Sequence, residues 1–106
     1  MPKGIMVVRS SPSAPEREDE YNDWYDNTHI PQIRAIPGFT AARRYKLTGL
    51  GGQDVPAYLA IYDIEADDLA DPVTEFRARS RTGQHTSSDA LSRNPPPVVA
   101  IYELLG

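Results

Sequence analysis

Four short apolar runs, spaced so that two of the three intervals between them can hold a helix, restrict this chain to few architectures. They are "GIMVV" (Gly4 to Val8), "FTAARRYKL" (Phe39 to Leu47), "AYLAIYDI" (Ala57 to Ile64) and "VVAIYELL" (Val98 to Leu105). The first is almost continuously apolar, the pattern of a strand covered on both faces. The second alternates, setting Phe39, Ala41, Arg43, Tyr45 and Leu47 against Thr40, Ala42, Arg44 and Lys46. "TGLGGQDVP" supplies hairpin-type turn chemistry between the second and third runs, and "RNPPP" precedes the fourth.

The first interval opens with a capping box, Ser13 and Glu16, and carries Pro15 where a missing N–H does no harm. The second helix is expected to begin near Asp67 or at Asp71-Pro72, to bury a narrow stripe at Val73 and Phe76, and to fade by Gly83. The order βαββαβ predicts an α+β chain: a ferredoxin-like, four-stranded antiparallel sheet with both helices on one face. Apolar residues occur at both parities of the strands, so the uncovered face needs a partner, and a homodimer is the expected one. Ser80 to Pro97 is long and polar for a connection, which predicts a lid-like loop with fast amide exchange between Thr82 and Arg93.

At 106 residues the chain is expected to form one domain. Its 15 Asp and Glu outweigh 11 Lys and Arg, and no basic cluster interrupts that balance. Nucleic acid and anionic membrane surfaces, which demand concentrated cations, are therefore not expected partners. No run approaches the ~18 apolar residues of a membrane helix, the N-terminal apolar run is too short for a signal segment, and cysteine is absent. These features predict a cytoplasmic protein. There is no G-x-G-x-x-G after a strand, no P-loop and no G-x-S-x-G elbow. Two histidines without H-x-x-x-H or H-E-x-x-H spacing do not make a metal site, so neither cofactor nor metal is expected.

The chemistry concentrates in "EYNDWYDNTHIPQIRAIPGF", Glu20 to Phe39. Tyr21, Trp24, Tyr25, Thr28 and His29 recur at helical spacing, and Pro31 then interrupts the ladder. That interruption predicts a kink, with Ile30 extended and His29 in the last turn before it. His29 fits either an acid–base group near neutral pH or a core histidine tied to a backbone carbonyl. Tyr21, Trp24 and Tyr25 fit the wall of a small-molecule pocket or ordinary core. Arg43 shares the strand face of Phe39 and Tyr45 and there needs a carboxylate or an anionic ligand, whereas Arg44 and Lys46 are expected to be solvated or interfacial. One of Tyr58, Tyr62 and Tyr102 is expected to point into the same cavity, Tyr62 being the residue taken here. His85 is expected to be exposed in its loop.

The block "YNDWYDNTHIPQIRAIPGFTAARRY" resembles the EthD-like members of the dimeric α+β-barrel superfamily through Trp24, Tyr25, His29, Pro31, Pro37, Gly38, Phe39 and Arg43. The resemblance implies that residues 1–106 form a single EthD-like domain. It also implies two ferredoxin-like subunits with facing sheets, and a pocket between each sheet and its helices. The expected function is cofactor-independent proton transfer, of isomerase, cyclase or dehydratase type, on a small cyclic or carbonyl compound. His29, Tyr25 and Arg43 would be catalytic, and Tyr21, Trp24, Phe39, Tyr45 and Tyr62 would bind an apolar or aromatic substrate. The alternatives are a cofactor-free monooxygenase of an aromatic, polyketide-like substrate and a non-catalytic ligand-binding or stress-associated dimer.

Overall fold

The computed structural model describes residues 2–106. Strands β1 (Lys3–Ser10), β2 (Phe39–Lys46), β3 (Tyr58–Glu65) and β4 (Val98–Glu103) form one antiparallel sheet in the order β2-β3-β1-β4. Between β1 and β2 run α1 (Glu18–Trp24), a π-helical turn (Tyr25–His29) and α2 (Ile30–Arg34); α3 (Ala70–Arg81) joins β3 to β4. This is the βαββαβ order expected, with the two central strands β1 and β3 paired in full register from Lys3↔Glu65 to Ser10↔Tyr58.

Strict alternation in β3 divides the sheet. Tyr58, Ala60, Tyr62 and Ile64 are buried, and with Met6 and Val8 they meet Tyr21, Tyr25, Ile33, Ile36 and Val73 from the helical layer. Burying each such aliphatic side chain stabilises the fold by roughly 1.5–3 kcal/mol, so this layer holds the domain together. Leu59, Ile61 and Asp63 point to the open face, beside Ile5, Val7, Val98 and Tyr102.

In β2 the alternation changes phase. Phe39 pairs with Ile64 and Ala41 already pairs with Asp63, so Thr40 is the extra residue of a β-bulge. Phe39 therefore faces the helices, and beyond the bulge the inward residues are Ala42, Arg44 and Lys46. The expected common face of Phe39, Arg43 and Tyr45 does not exist, because one inserted residue sends every later side chain to the other side.

Two terminal signals also act differently from expectation. Ser13 does not cap a helix: its N–H donates to the Ala90 carbonyl at 2.6 Å, and Ser92 N–H donates to the Ser11 carbonyl at 2.9 Å. Pairing with the loop keeps this stretch extended (Ala14 φ −157°, ψ 154°), so a 3-10 turn at Pro15–Arg17 precedes α1 instead. The same contacts correct the picture of a uniformly loose segment from Thr82 to Arg93. Ala90 is fully buried, and the amides of Thr86, Ala90, Leu91 and Ser92 all have acceptors. Gly38, at φ +104°, makes the turn into β2, and a Cβ there would run into Pro72 of α3. No helix among the described residues is long and apolar enough to cross a membrane.

Candidate functional site

Pro31 does not end the helix. Ile30 keeps helical dihedrals (φ −61°, ψ −48°) and its N–H reaches back five residues to the Tyr25 carbonyl. Proline has no N–H for the carbonyl four residues back, and its ring crowds that carbonyl in an α-helix. Inserting one extra residue into the preceding turn relieves this crowding, and α2 continues to Arg34. The extended Ile30 expected from the sequence is replaced by a helical residue after this π turn. The π turn also brings residues five apart onto one face: the His29 ring stacks on Trp24 with centroids 4.5 Å apart and planes 21° apart. Tyr25 meets the same imidazole edge-on at 5.0 Å.

Opposite this turn, the bulge in β2 turns Arg44 inward. Its guanidinium lies 4.4 Å from the Tyr25 ring centroid, 5.2 Å from Tyr58 and 5.5 Å from Tyr21. A cation boxed by three electron-rich faces gains from each of them, more so once desolvated. Its N–H groups donate to Asp26 Oδ1 (2.9 Å) and Asn22 Oδ1 (2.8 Å), and the side chain is 13% exposed. The network continues through Asn22 Nδ2 to the Tyr58 hydroxyl and from that hydroxyl to Glu18 Oε2 at 2.7 Å. That bond is the main reason the Glu18 carboxyl is held below its usual range, with Lys46 adding to the effect.

Behind Arg44 the layer is buried. The Ser10 and Tyr21 hydroxyls share a 2.6 Å hydrogen bond. Burial pushes the Tyr25 hydroxyl up to about 12, and raises Tyr62 further still, so both stay protonated donors. The Tyr62 hydroxyl and His29 Nδ1 are each buried without a hydrogen-bond partner. Burial, followed by the neighbouring His85 and Arg44, brings His29 down to about 4. The imidazole is therefore neutral at pH 7, with a ring nitrogen available as a base. The core-histidine alternative ties the ring to a backbone carbonyl, and no such bond is made by Nδ1.

Of the residues singled out in the sequence, His29, Tyr25, Tyr21, Trp24 and Tyr62 come together here. Phe39 is packed deeper, between Tyr62 and Phe76. Arg43 and Tyr45 do not reach the cluster. Arg43 lies on the open face in a two-bond pair with Asp63 (2.9 and 3.1 Å), which holds its pKa up, and Tyr45 is 49% exposed. Arg44, Ser10 and Asn22 occupy positions that strand alternation and helix periodicity alone did not select. His85 is not exposed in solvent as expected; its ring packs by Phe76, and both its nitrogens are buried. Among the described residues no group of three potential metal-ligating side chains occurs. A cavity of about 420 Å³ lies at the open sheet face by Lys3, Ile5, Asp63, Tyr102 and Leu105, away from His29.

A four-stranded antiparallel sheet carrying its helices on one face defines the ferredoxin-like α+β class. Within it, the solved structures that share this fold include an EthD (ethyl tert-butyl ether D) family protein from Bacillus halodurans C-125. That match is 16% identical, with a TM-score of 0.63 over 99% of this chain and 100% of the other. An EthD-like protein from Ralstonia eutropha JMP134 matches at 17% identity and a TM-score of 0.54, over 100% of this chain and 96% of the other. A protein of unknown function from Nitrosomonas europaea matches at 19% and 0.53, over 100% and 92%. No family model matches the chain, and neither does any curated protein. At these identities the likeness establishes the fold.

Proposed function

We propose that this protein is a cofactor-independent enzyme that moves a proton on a small cyclic or carbonyl compound bound between helix and sheet around His29. The observation that carries this reading is a neutral, buried imidazole with an unpartnered Nδ1, in a layer that also holds the buried Tyr62 hydroxyl, which has only the neighbouring Tyr25 hydroxyl near it and makes no well-formed hydrogen bond. His29 would take a proton from carbon next to a carbonyl; the C–H electron pair would form the new C=C bond and the carbonyl π pair would move to its oxygen. Tyr62 and the remaining N–H groups of Arg44 would stabilise the resulting enolate, and the imidazolium would return the proton to another carbon. Arg44 takes the role the sequence suggested for Arg43. Tyr25, whose ring contacts both His29 and Arg44, fixes their separation.

Deuterium wash-in tests this without knowledge of the natural substrate. Butenolides, cyclic enones and cyclic 1,3-diketones are incubated with the protein in D2O and followed by NMR. Protein-dependent exchange at the carbon α or γ to the carbonyl is expected for at least one class. Binding with no exchange in any class would favour the non-catalytic reading. The aromatic walls also suit an electron-rich phenolic substrate, the cofactor-free oxygenase reading, for which protein-dependent oxygen uptake is the distinguishing measurement.

The same reading includes a homodimer joined through open sheet faces. Tyr45, Leu47, Val98 and Tyr102 each leave two-fifths or more of their surface exposed on a sheet with no helix on that side. A second copy would bury at least the ~1,600 Å² of a standard interface. Light scattering at micromolar concentration should give twice the 11.8 kDa chain mass. A monomer would remove the barrel arrangement but not the site.

A further inference from the structure

We infer that the segment from Gly83 to Ser88 is a latch, closed over His29 by a clamp on Thr86, and that substrate enters by displacing it. The inference rests on the proposed function only in taking His29 as the site.

Thr86 is gripped from the helix that carries His29. Trp24 Nε1 donates to its carbonyl at 3.1 Å, Gln32 Oε1 accepts from its N–H at 3.0 Å, and Gln32 Nε2 donates to its Oγ1 at 3.2 Å. One glutamine thus holds a residue 54 positions away by two bonds, and the third bond comes from the indole on which His29 stacks. This clamp holds Thr86, the neighbour of His85 in the chain, against the indole on which His29 stacks.

The latch has a hinge and a stop. Gly83 turns the chain at φ +82° with open space around it, beyond the end of α3. At the other end Ala90 to Ser92 are bonded to Ser11 and Ser13. Gln84, Thr86, Ser87 and Asp89, between these points, are exposed. Among the described residues the stretch is tied down by the Thr86 clamp, the His85 ring, the His85 N–H to the Arg79 carbonyl (3.3 Å), a long Thr82 Oγ1 to Gln84 Oε1 bond (3.5 Å) and the bonds of Ser88 to Ala90 and Leu91, all but the clamp local in sequence or made by one ring.

The closed position leaves polar atoms unsatisfied. Both His85 nitrogens and His29 Nδ1 are buried without partners. Such groups offset much of what a few hydrogen bonds contribute, so the latch is held closed by a small margin. A ligand hydroxyl that reached His29 Nδ1 would supply the donor this nitrogen lacks.

Carbethoxylation by diethyl pyrocarbonate at pH 7, read residue by residue by mass spectrometry, tests the latch with no substrate. In the wild type both histidines should react much more slowly than N-acetylhistidine. Gln32→Ala, which removes two of the three bonds that clamp Thr86, should accelerate both by about tenfold or more. Amides of β1 and β3 should keep their exchange protection throughout. Thr86→Val, lacking only the hydroxyl acceptor, should give a smaller acceleration of the same two residues. The latch is overturned if Gln32→Ala exposes His85 while His29 stays protected. It is equally overturned if His29 reacts only when the sheet amides also lose protection, because opening would then be global unfolding. Failure here leaves the acid–base role of His29 standing, and failure of the wash-in experiment leaves the latch standing.

Discussion

A His29→Gln variant is expected to fold as the wild type does and to turn over a substrate about two to four orders of magnitude more slowly, the usual worth of general acid–base catalysis. Glutamine keeps most of the volume beside Trp24 and Tyr25 but cannot accept and return a proton. Because burial holds the wild-type imidazole near 4, the rate should stay level from neutral pH into mild acid and fall as the pH drops through about 4. Stability carries the same signature. A base whose native pKa is lowered from 6.5 binds fewer protons folded than unfolded, so its neutral burial is without penalty above about pH 6.5. As the pH falls from there to about 4, the wild type should lose up to about 3 kcal/mol that His29→Gln does not lose. The difference between the two denaturation series isolates His29 from the carboxylates, which titrate in both. Near-normal turnover in the folded variant would leave His29 a packing residue and move the chemistry to Arg44 and Tyr62.

The fold was legible because its signals are local and repeated: four short apolar runs, turn residues before β3 and β4, and a helical stripe between Ser13 and Pro37. The site was legible only in part, and each failure has a physical reason. Thr40 carries no mark of a bulge, yet it exchanges the roles of Arg43 and Arg44. A carboxylate partner was expected for Arg43 and it has one, Asp63, while the helix acid Asp26 pairs with Arg44. Pro31 reads as a helix breaker because proline in an α-helix costs about 3 kcal/mol, and no periodicity rule signals that a π turn can absorb it. A Trp-to-His spacing of five residues would have been the clue, since only the wider turn stacks such a pair. His85 looked like solvated loop because its burial depends on Gln32 and Trp24, contacts made across more than fifty residues.

Arg44 carries the second large effect, on stability. Arg44→Met keeps an unbranched apolar chain in the tyrosine box but removes the cation from three ring faces and the bonds to Asp26 and Asn22. Asp26 is well exposed and can rehydrate, so no buried carboxylate is stranded and the loss stays below that of breaking a fully buried pair. Asn22 and the tyrosine faces are less open to water. The expected destabilisation is about 2–3 kcal/mol, the sum of a desolvated cation–π contact and a charge-assisted hydrogen bond. In a domain of this size that corresponds to a fall in Tm of roughly 8–20 °C. Lys3→Met, which breaks a half-exposed 3.5 Å pair with Glu65, should cost under about 1 kcal/mol and serves as the surface control. Arg44→Lys separates charge from geometry. An ammonium restores the cation but cannot span Asp26 and Asn22 with a planar fork, so it should recover less than half of the lost stability. If Arg44→Met matches Lys3→Met in thermal denaturation, the guanidinium adds nothing to the fold. Its inward position would then have to be explained by what it binds.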